Sequence, residues 1–145
     1  MHTEHAKDLP FFQRFGDGAL PGYLGIEIVE VGDRQLSSRL TVQPHHLAPN
    51  GFLHAGTVVT LADTSAGYAC WKSLPASATG FTTIELKANF LGTARSGAIT
   101  CTAVAVHIGG STQIWDATVK TEGDGKTIAL FRCTQMILYP RPATP

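Results

Sequence analysis

Charge is what this sequence has least of. Asp, Glu, Lys and Arg make up 15% of the 145 residues, well under the roughly 25% of an ordinary soluble domain. The eleven acidic and eleven basic side chains cancel at pH 7, so no basic field exists to hold a nucleic-acid backbone or an anionic membrane. Nucleic-acid binding is not expected. Self-association is expected instead, because nothing repels a second copy. Long apolar runs are missing too: none approaches the roughly 18 residues of a membrane helix. The opening residues 1–8 lack a basic region leading into an apolar one, so a cytoplasmic location is expected. The three cysteines, Cys70, Cys101 and Cys133, are odd in number, far apart and set among apolar neighbours. They read as buried free thiols and not as a disulfide framework or a metal site.

What the chain does have is apolar residues, 43% of the total and well spread, enough to exclude disorder over most of its length. Its length suits one domain. Phe11, Phe12 and Phe15 around Gln13 and Arg14 predict a short amphipathic helix ended by Gly16 and Gly18, packed on the body as a flap. Residues 24–42 alternate, with a turn signal at Gly32-Asp33, and predict a hairpin. Residues 44–51 hold two Pro, Asn50 and Gly51, a loop by composition. From Ala55 to about Ser73 the residues are small or apolar without a stripe, as in a helix enclosed on most sides, and Pro75 ends it. Four β segments follow at 81–91, 97–108, 112–121 and 126–138, and then a Pro-rich tail. The order predicts an α+β architecture, an antiparallel six-stranded sheet curled around one long helix. The expected divisions are a helical segment at 1–19, the main domain at 20–139 and a flexible tail at 140–145. One helix cannot cover such a sheet on both faces, which leaves an outer face or an edge strand for a second copy.

Several motifs fail. Gly125-Lys126-Thr127 resembles the end of a phosphate-binding loop, but Lys120 stands at that pattern's first position and strands flank it. His45, His46 and His54 lack the spacing and partners of a metal site, so no metal is expected. No G-x-S-x-G elbow is present.

One stretch carries chemistry. Asp63 is a carboxylate in the most apolar helix of the chain, where desolvation is costly unless the group is paired or functional. It either bonds a neighbouring loop or opening, or serves as general base or nucleophile in a cleft. Upstream, His54-Ala55-Gly56 opens the helix, where unpaired N–H groups and the dipole suit a carbonyl or oxyanion. Ala55 and Gly56 are small enough for close approach of a substrate, while His54 either bonds the loop or takes part. Ala55 and Asp63 are separated along the helix by about 12 Å, too far to serve one reacting carbon within a single chain. Two copies paired about a twofold axis with helices antiparallel bring Ala55 of one to Asp63 of the other.

These residues and the order of elements resemble the hot-dog-fold thioesterase superfamily, in particular the PaaI-type (phenylacetate-degradation) acyl-CoA thioesterases. The family's H-G-G followed by an Asp in a Leu-x-Asp context stands here as His54-Ala55-Gly56 with Leu61-Ala62-Asp63. The resemblance implies Asp63 as nucleophile or general base and the N–H of Ala55 as polariser of the thioester carbonyl across a dimer interface. It further implies that His54 orients the loop and that Thr83 assists from the first strand after the helix. Two positions depart from the pattern: Ala55 replaces a Gly, and Ala48 stands where relatives often carry Asn, with Asn50 two residues on as the candidate in its place. Phe52, Tyr68 and Trp71, with Phe11 or Phe12, either line a pocket for an aryl or medium-chain acyl group or are ordinary core. Arg95 and Lys120 are the candidate cations for coenzyme A phosphates. The implied protein is a cytoplasmic homo-oligomer, a dimer or a homotetramer built as a dimer of dimers. It needs no cofactor, coenzyme A being part of the substrate. A non-catalytic acyl-CoA-binding protein and an acyl-thioester hydratase or dehydratase with His54 as base are the alternatives.

Overall fold

The computed structural model describes residues 7–144; the readings of residues 1–6 and 145 made above lie outside it. The first helix, α1 (Leu9–Phe15), is capped by Asp8, whose carboxylate accepts from the Phe11 N–H. Its Phe12 is buried and stacks on Tyr68, with ring centroids 5.4 Å apart. Phe15 stacks on Trp71 at 5.9 Å. The segment thus packs on the main helix as the flap its Phe spacing predicts.

A second short helix, α2 (Leu20–Leu24), was not expected. Pro21-Gly22 reads as a turn, yet Pro is tolerated in the first turn of a helix, where its missing N–H has no intrahelical role. Leu24 therefore ends a helix instead of opening a strand. The hairpin itself is β1 (Glu27–Gly32) with β2 (Gln35–Thr41), and its loop is Asp33-Arg34, one residue later than the turn signal. Arg34 takes the left-handed conformation there, with φ of 58°.

After a 3₁₀ turn at Pro44–His46 comes the long helix α3 (Ala55–Lys72), matching the expected span. It ends at Ser73, two residues before Pro75. Its buried residues include Thr57, Val58, Leu61, Ala62, Ser65 and Cys70, while Thr60, Asp63, Gly67 and Trp71 form a half-buried stripe along one side, so the helix is less enclosed than its composition predicts. Leu61 is wholly buried, and truncating such a side chain to Ala costs roughly 2–5 kcal/mol. The Ser38 and Ser65 hydroxyls pair at 2.6 Å, satisfying two polar groups where α3 meets β2. At the helix C-terminus, buried Gln113 donates to the Ser73 carbonyl at 3.0 Å and accepts from Trp115 Nε1 at 2.8 Å.

Strands β3 (Gly80–Phe90), β4 (Ala98–Ile108), β5 (Thr112–Thr121) and β6 (Thr127–Leu138) complete one antiparallel sheet in the order β1-β2-β4-β5-β6-β3. α3 packs against β2, β3, β4, β5 and β6, so the sheet wraps the helix as expected. β3 pairs only with β6 among the described residues, and Thr82 to Lys87 form an exposed run along it. Residues 140–144 are exposed and carry no regular structure.

Candidate active site

The loop before α3 is built around His46. Its Nδ1 accepts from the Gln43 N–H at 2.9 Å, so in the neutral ring the proton sits on Nε2 and is donated to the Leu24 carbonyl at 2.8 Å. The ring is fully buried, and burial holds its pKa below the ordinary value. The His46 carbonyl receives both the His54 N–H at 3.0 Å and the Thr57 hydroxyl at 2.9 Å, tying loop to helix start. Both ring nitrogens are thereby committed to the backbone.

The donors at the start of α3 can be counted one by one. The Gly56 N–H goes to His54 Nδ1 at 2.7 Å, and those of Thr57 and Val58 go to the His54 carbonyl. The Ala55 N–H has no acceptor among the described residues. It is an exposed donor at the positive end of an 18-residue helix. Ala55 has a negative φ, since Arg34 is the one non-glycine residue with positive φ among those described, so the methyl group replacing hydrogen introduces no backbone strain. Gly56 has a reason of its own: a Cβ there would lie 2.9 Å from His54 Nδ1.

Beside this helix start lie Asn50, Phe52 and Arg95. Asn50 Oδ1 accepts from the Phe52 N–H at 3.1 Å, which leaves the amide NH₂ uncommitted. The Arg95 guanidinium stacks on the Phe52 ring at 4.0 Å and forms no ion pair among the described residues. The Leu53 N–H to the Ala94 carbonyl, 3.1 Å, ties the two segments together. Lys120 is exposed on β5.

Asp63 lies two turns further along. Its Oδ1 is buried without a hydrogen-bond partner among the described residues, and burial raises its pKa. Burial, with a further contribution from the Asp63 charge, pushes the Cys133 thiol up to about 12, and Gly67, one turn after Asp63, lies against the Phe81 ring of β3, which a Cβ there would meet at 3.5 Å. Thr83 lies two residues beyond Phe81 on the same face of β3, which has a bulge just after it. Thr83 pairs with Gln135 and Glu85 with Thr134, leaving Ile84 as the extra residue. Thr83 shares the inward face of its cross-strand partner Gln135, to whose Oε1 its hydroxyl donates at 2.6 Å, and Gln135 Nε2 donates to Cys133 Sγ at 3.5 Å.

Tyr68 and Trp71 stand in the aromatic cluster with α1, about 20 Å along the helix from its start. Within one chain they do not meet Phe52. The expected residues thus fall into three stations on α3: the donor end, the carboxylate with Thr83, and the aromatic end. Gln135 did not emerge from the sequence, and Cys133 emerged only as the buried free thiol it is; the signal for Gln135 was a polar residue in the inward series Phe131, Cys133, Gln135 and Ile137 of β6.

Residues 50–128 match the family model described as the thioesterase superfamily. The chain belongs to this superfamily. Over 111 residues, 77% of the chain and 89% of the relative, the thioesterase is 37% identical to a 1,4-dihydroxy-2-naphthoyl-CoA hydrolase of Listeria monocytogenes. It is 33% identical over 110 residues to the acyl-coenzyme A thioesterase PaaI of Escherichia coli, covering 75% of each chain. A mutant thioesterase of Pseudomonas aeruginosa superposes with a TM-score of 0.87 at 29% identity, covering 92% of this chain and 95% of the other. The fold is that of the hot-dog thioesterases. Among the described residues, no helix of the thioesterase is long and apolar enough to cross a membrane.

Proposed function

We propose that the thioesterase hydrolyses an aryl- or medium-chain acyl-CoA at a site shared by two protomers. The observation that carries this reading is the pair of unused groups on one helix, the free Ala55 N–H and the unpartnered Asp63 oxygen, separated by about 12 Å. Neither group is satisfied among the described residues of its own chain, and a twofold pairing with antiparallel helices would bring each to its counterpart.

In that arrangement the Ala55 N–H of one protomer donates to the thioester carbonyl oxygen, where negative charge grows during attack. Asp63 of the other protomer attacks the carbonyl carbon or takes a proton from the attacking water. The C–S bond breaks and coenzyme A leaves as a thiolate that takes up a proton. The uncommitted NH₂ of Asn50 is the candidate second donor to the carbonyl oxygen, in the role left open by Ala48. The guanidinium of Arg95, held flat by Phe52, meets a coenzyme A phosphate. When Ala55 faces Asp63 of the other chain, Phe52 comes level with the helix turn before Tyr68, so aromatic groups from both chains flank the acyl group.

The role of His54 supports hydrolysis over hydration. Its Nδ1 accepts from Gly56, so the neutral ring carries its proton on Nε2 and has no free lone pair with which to act as a base. Thiol release from a panel of aryl and aliphatic acyl-CoAs tests the reading. Asp63→Asn is expected to lower kcat by about 10²–10⁴-fold, the usual worth of a general base. Undiminished hydrolysis by this variant would refute the assignment, and binding without turnover by the wild type would favour a non-catalytic role.

A further inference from the structure

We infer that Gln135 is a positioning residue that turns the Thr83 hydroxyl into a pure acceptor for the attacking water, a deepening that rests on the proposed role of Asp63. A threonine hydroxyl has one proton and two lone pairs. In this chain the proton is spent on Gln135 Oε1 at 2.6 Å, a length in the O–H···O range and shorter than ordinary N–H···O bonds, which assigns the oxygen of the amide to this contact. The other end of the amide faces Cys133 Sγ, and Asp63 lies one helical turn before Gly67, which packs against the ring of Phe81, two residues from Thr83. What Thr83 presents beyond Gln135 is therefore lone pairs only.

Gln135 has no freedom to do otherwise. It is wholly buried, as is Gln113, its partner across β5 and β6. Gln113 is itself fixed by Trp115 and the Ser73 carbonyl. On the opposite side, cross-strand pairing puts Thr83 on the same face of the sheet as Gln135. A buried amide on a rigid strand thus sets the direction of a hydroxyl on the edge strand.

The consequence for the reaction is specific. A water between Thr83 and Asp63 gives one hydrogen to Thr83 Oγ1 and the other to the Asp63 carboxylate, which aims an oxygen lone pair at the thioester carbon. On attack, the proton passes to Asp63, the C–S bond breaks with its electron pair on sulfur, and the sulfur takes that proton back. The hydrogen on Thr83 stays with the carboxylic acid oxygen until release. Without Gln135, the Thr83 proton is free to turn onto Asp63, occupying the lone pair that should receive the proton of water.

Gln135→Met removes the acceptor at nearly constant volume, and Gln135→Asn withdraws it by one methylene while keeping the site polar. Both are expected to lower kcat by about tenfold, the worth of one hydrogen bond lost from a transition state, with KM changed less than about twofold. Thr83→Val should have a similar effect, and adding Gln135→Met to it should lower kcat no further. Thr83→Ser, which keeps the hydroxyl, should retain most activity. A kcat loss from Gln135→Met that persists in full on the Thr83→Val background would overturn the inference, as would unchanged kcat in Gln135→Met and Gln135→Asn. Thermal melting identifies any variant that does not fold; if Gln135→Met fails, the Asn variant carries the same comparison. Full hydrolysis by Asp63→Asn sinks the parent reading instead, so the two failures are distinct.

Discussion

Asp63 is a cost to the folded chain that its proposed role as base or nucleophile explains. Burial raises its pKa, so the native state holds the proton more tightly than the unfolded chain does. The stabilising contribution is present at low pH and is lost as pH rises through the raised value. At neutral pH the carboxylate therefore opposes folding. Asp63→Asn removes that opposition, and its melting temperature at pH 7 is expected to rise as its activity falls; a lower melting temperature would mark Asp63 as a structural anchor. His46 has the opposite sign. Its pKa is depressed from 6.5 mainly by burial, and protonating Nδ1 would remove the acceptor for the Gln43 N–H. Its contribution is present above pH 6.5 and is lost as pH falls toward the depressed value. Melting curves should show wild type losing more stability between neutral and mildly acid pH than His46→Gln does. At this scale the sequence was informative about Asp63, since a charge among apolar helix neighbours is visible in one dimension. It was silent about His46, whose hydrogen bonds join Gln43 and distant Leu24.

At the scale of elements, α3 was readable from end to end because its limits are local: His54 caps it and Ser73 closes it just before Pro75. α2 was not, because Pro21-Gly22 is a turn signal that helix-start geometry also tolerates. Nor was the β3 bulge, which depends on register with β6, a strand some fifty residues away. The position of Ala55 as first residue of α3 allows an unusually clean test. Proline is favoured at that position, and His54, with φ of −67° and ψ of 135°, already has the backbone that precedes proline. Ala55→Pro therefore deletes one N–H while keeping the helix. Its kcat is expected to fall by about 10²–10³-fold, as on loss of an oxyanion donor, with little change in melting temperature. Full activity in this variant would exclude the Ala55 N–H from carbonyl binding.

Across the whole molecule, the low charge content that first suggested association has a place in the fold. β3 is an edge strand whose Ile84, Leu86 and Phe90 are 58%, 43% and 47% exposed in the single chain. The proposed shared site answers to a helix that separates its donor from its carboxylate. Sequence spacing is what motivates that proposal, because distance along a helix follows from residue number alone. The Thr83, Gln135 and Cys133 contacts were beyond it, since they require the sheet order.

The most direct measurement combines the two lesions in trans. Ala55→Pro and Asp63→Asn chains, each inactive alone, are refolded together in equal amounts and assayed for thiol release from an acyl-CoA. In a mixed dimer, one shared site carries both lesions and the other carries neither, so random pairing should restore about a quarter of the wild-type activity. A mixture no more active than the two variants apart, with mixed dimers shown to be present, would contradict a site shared between protomers.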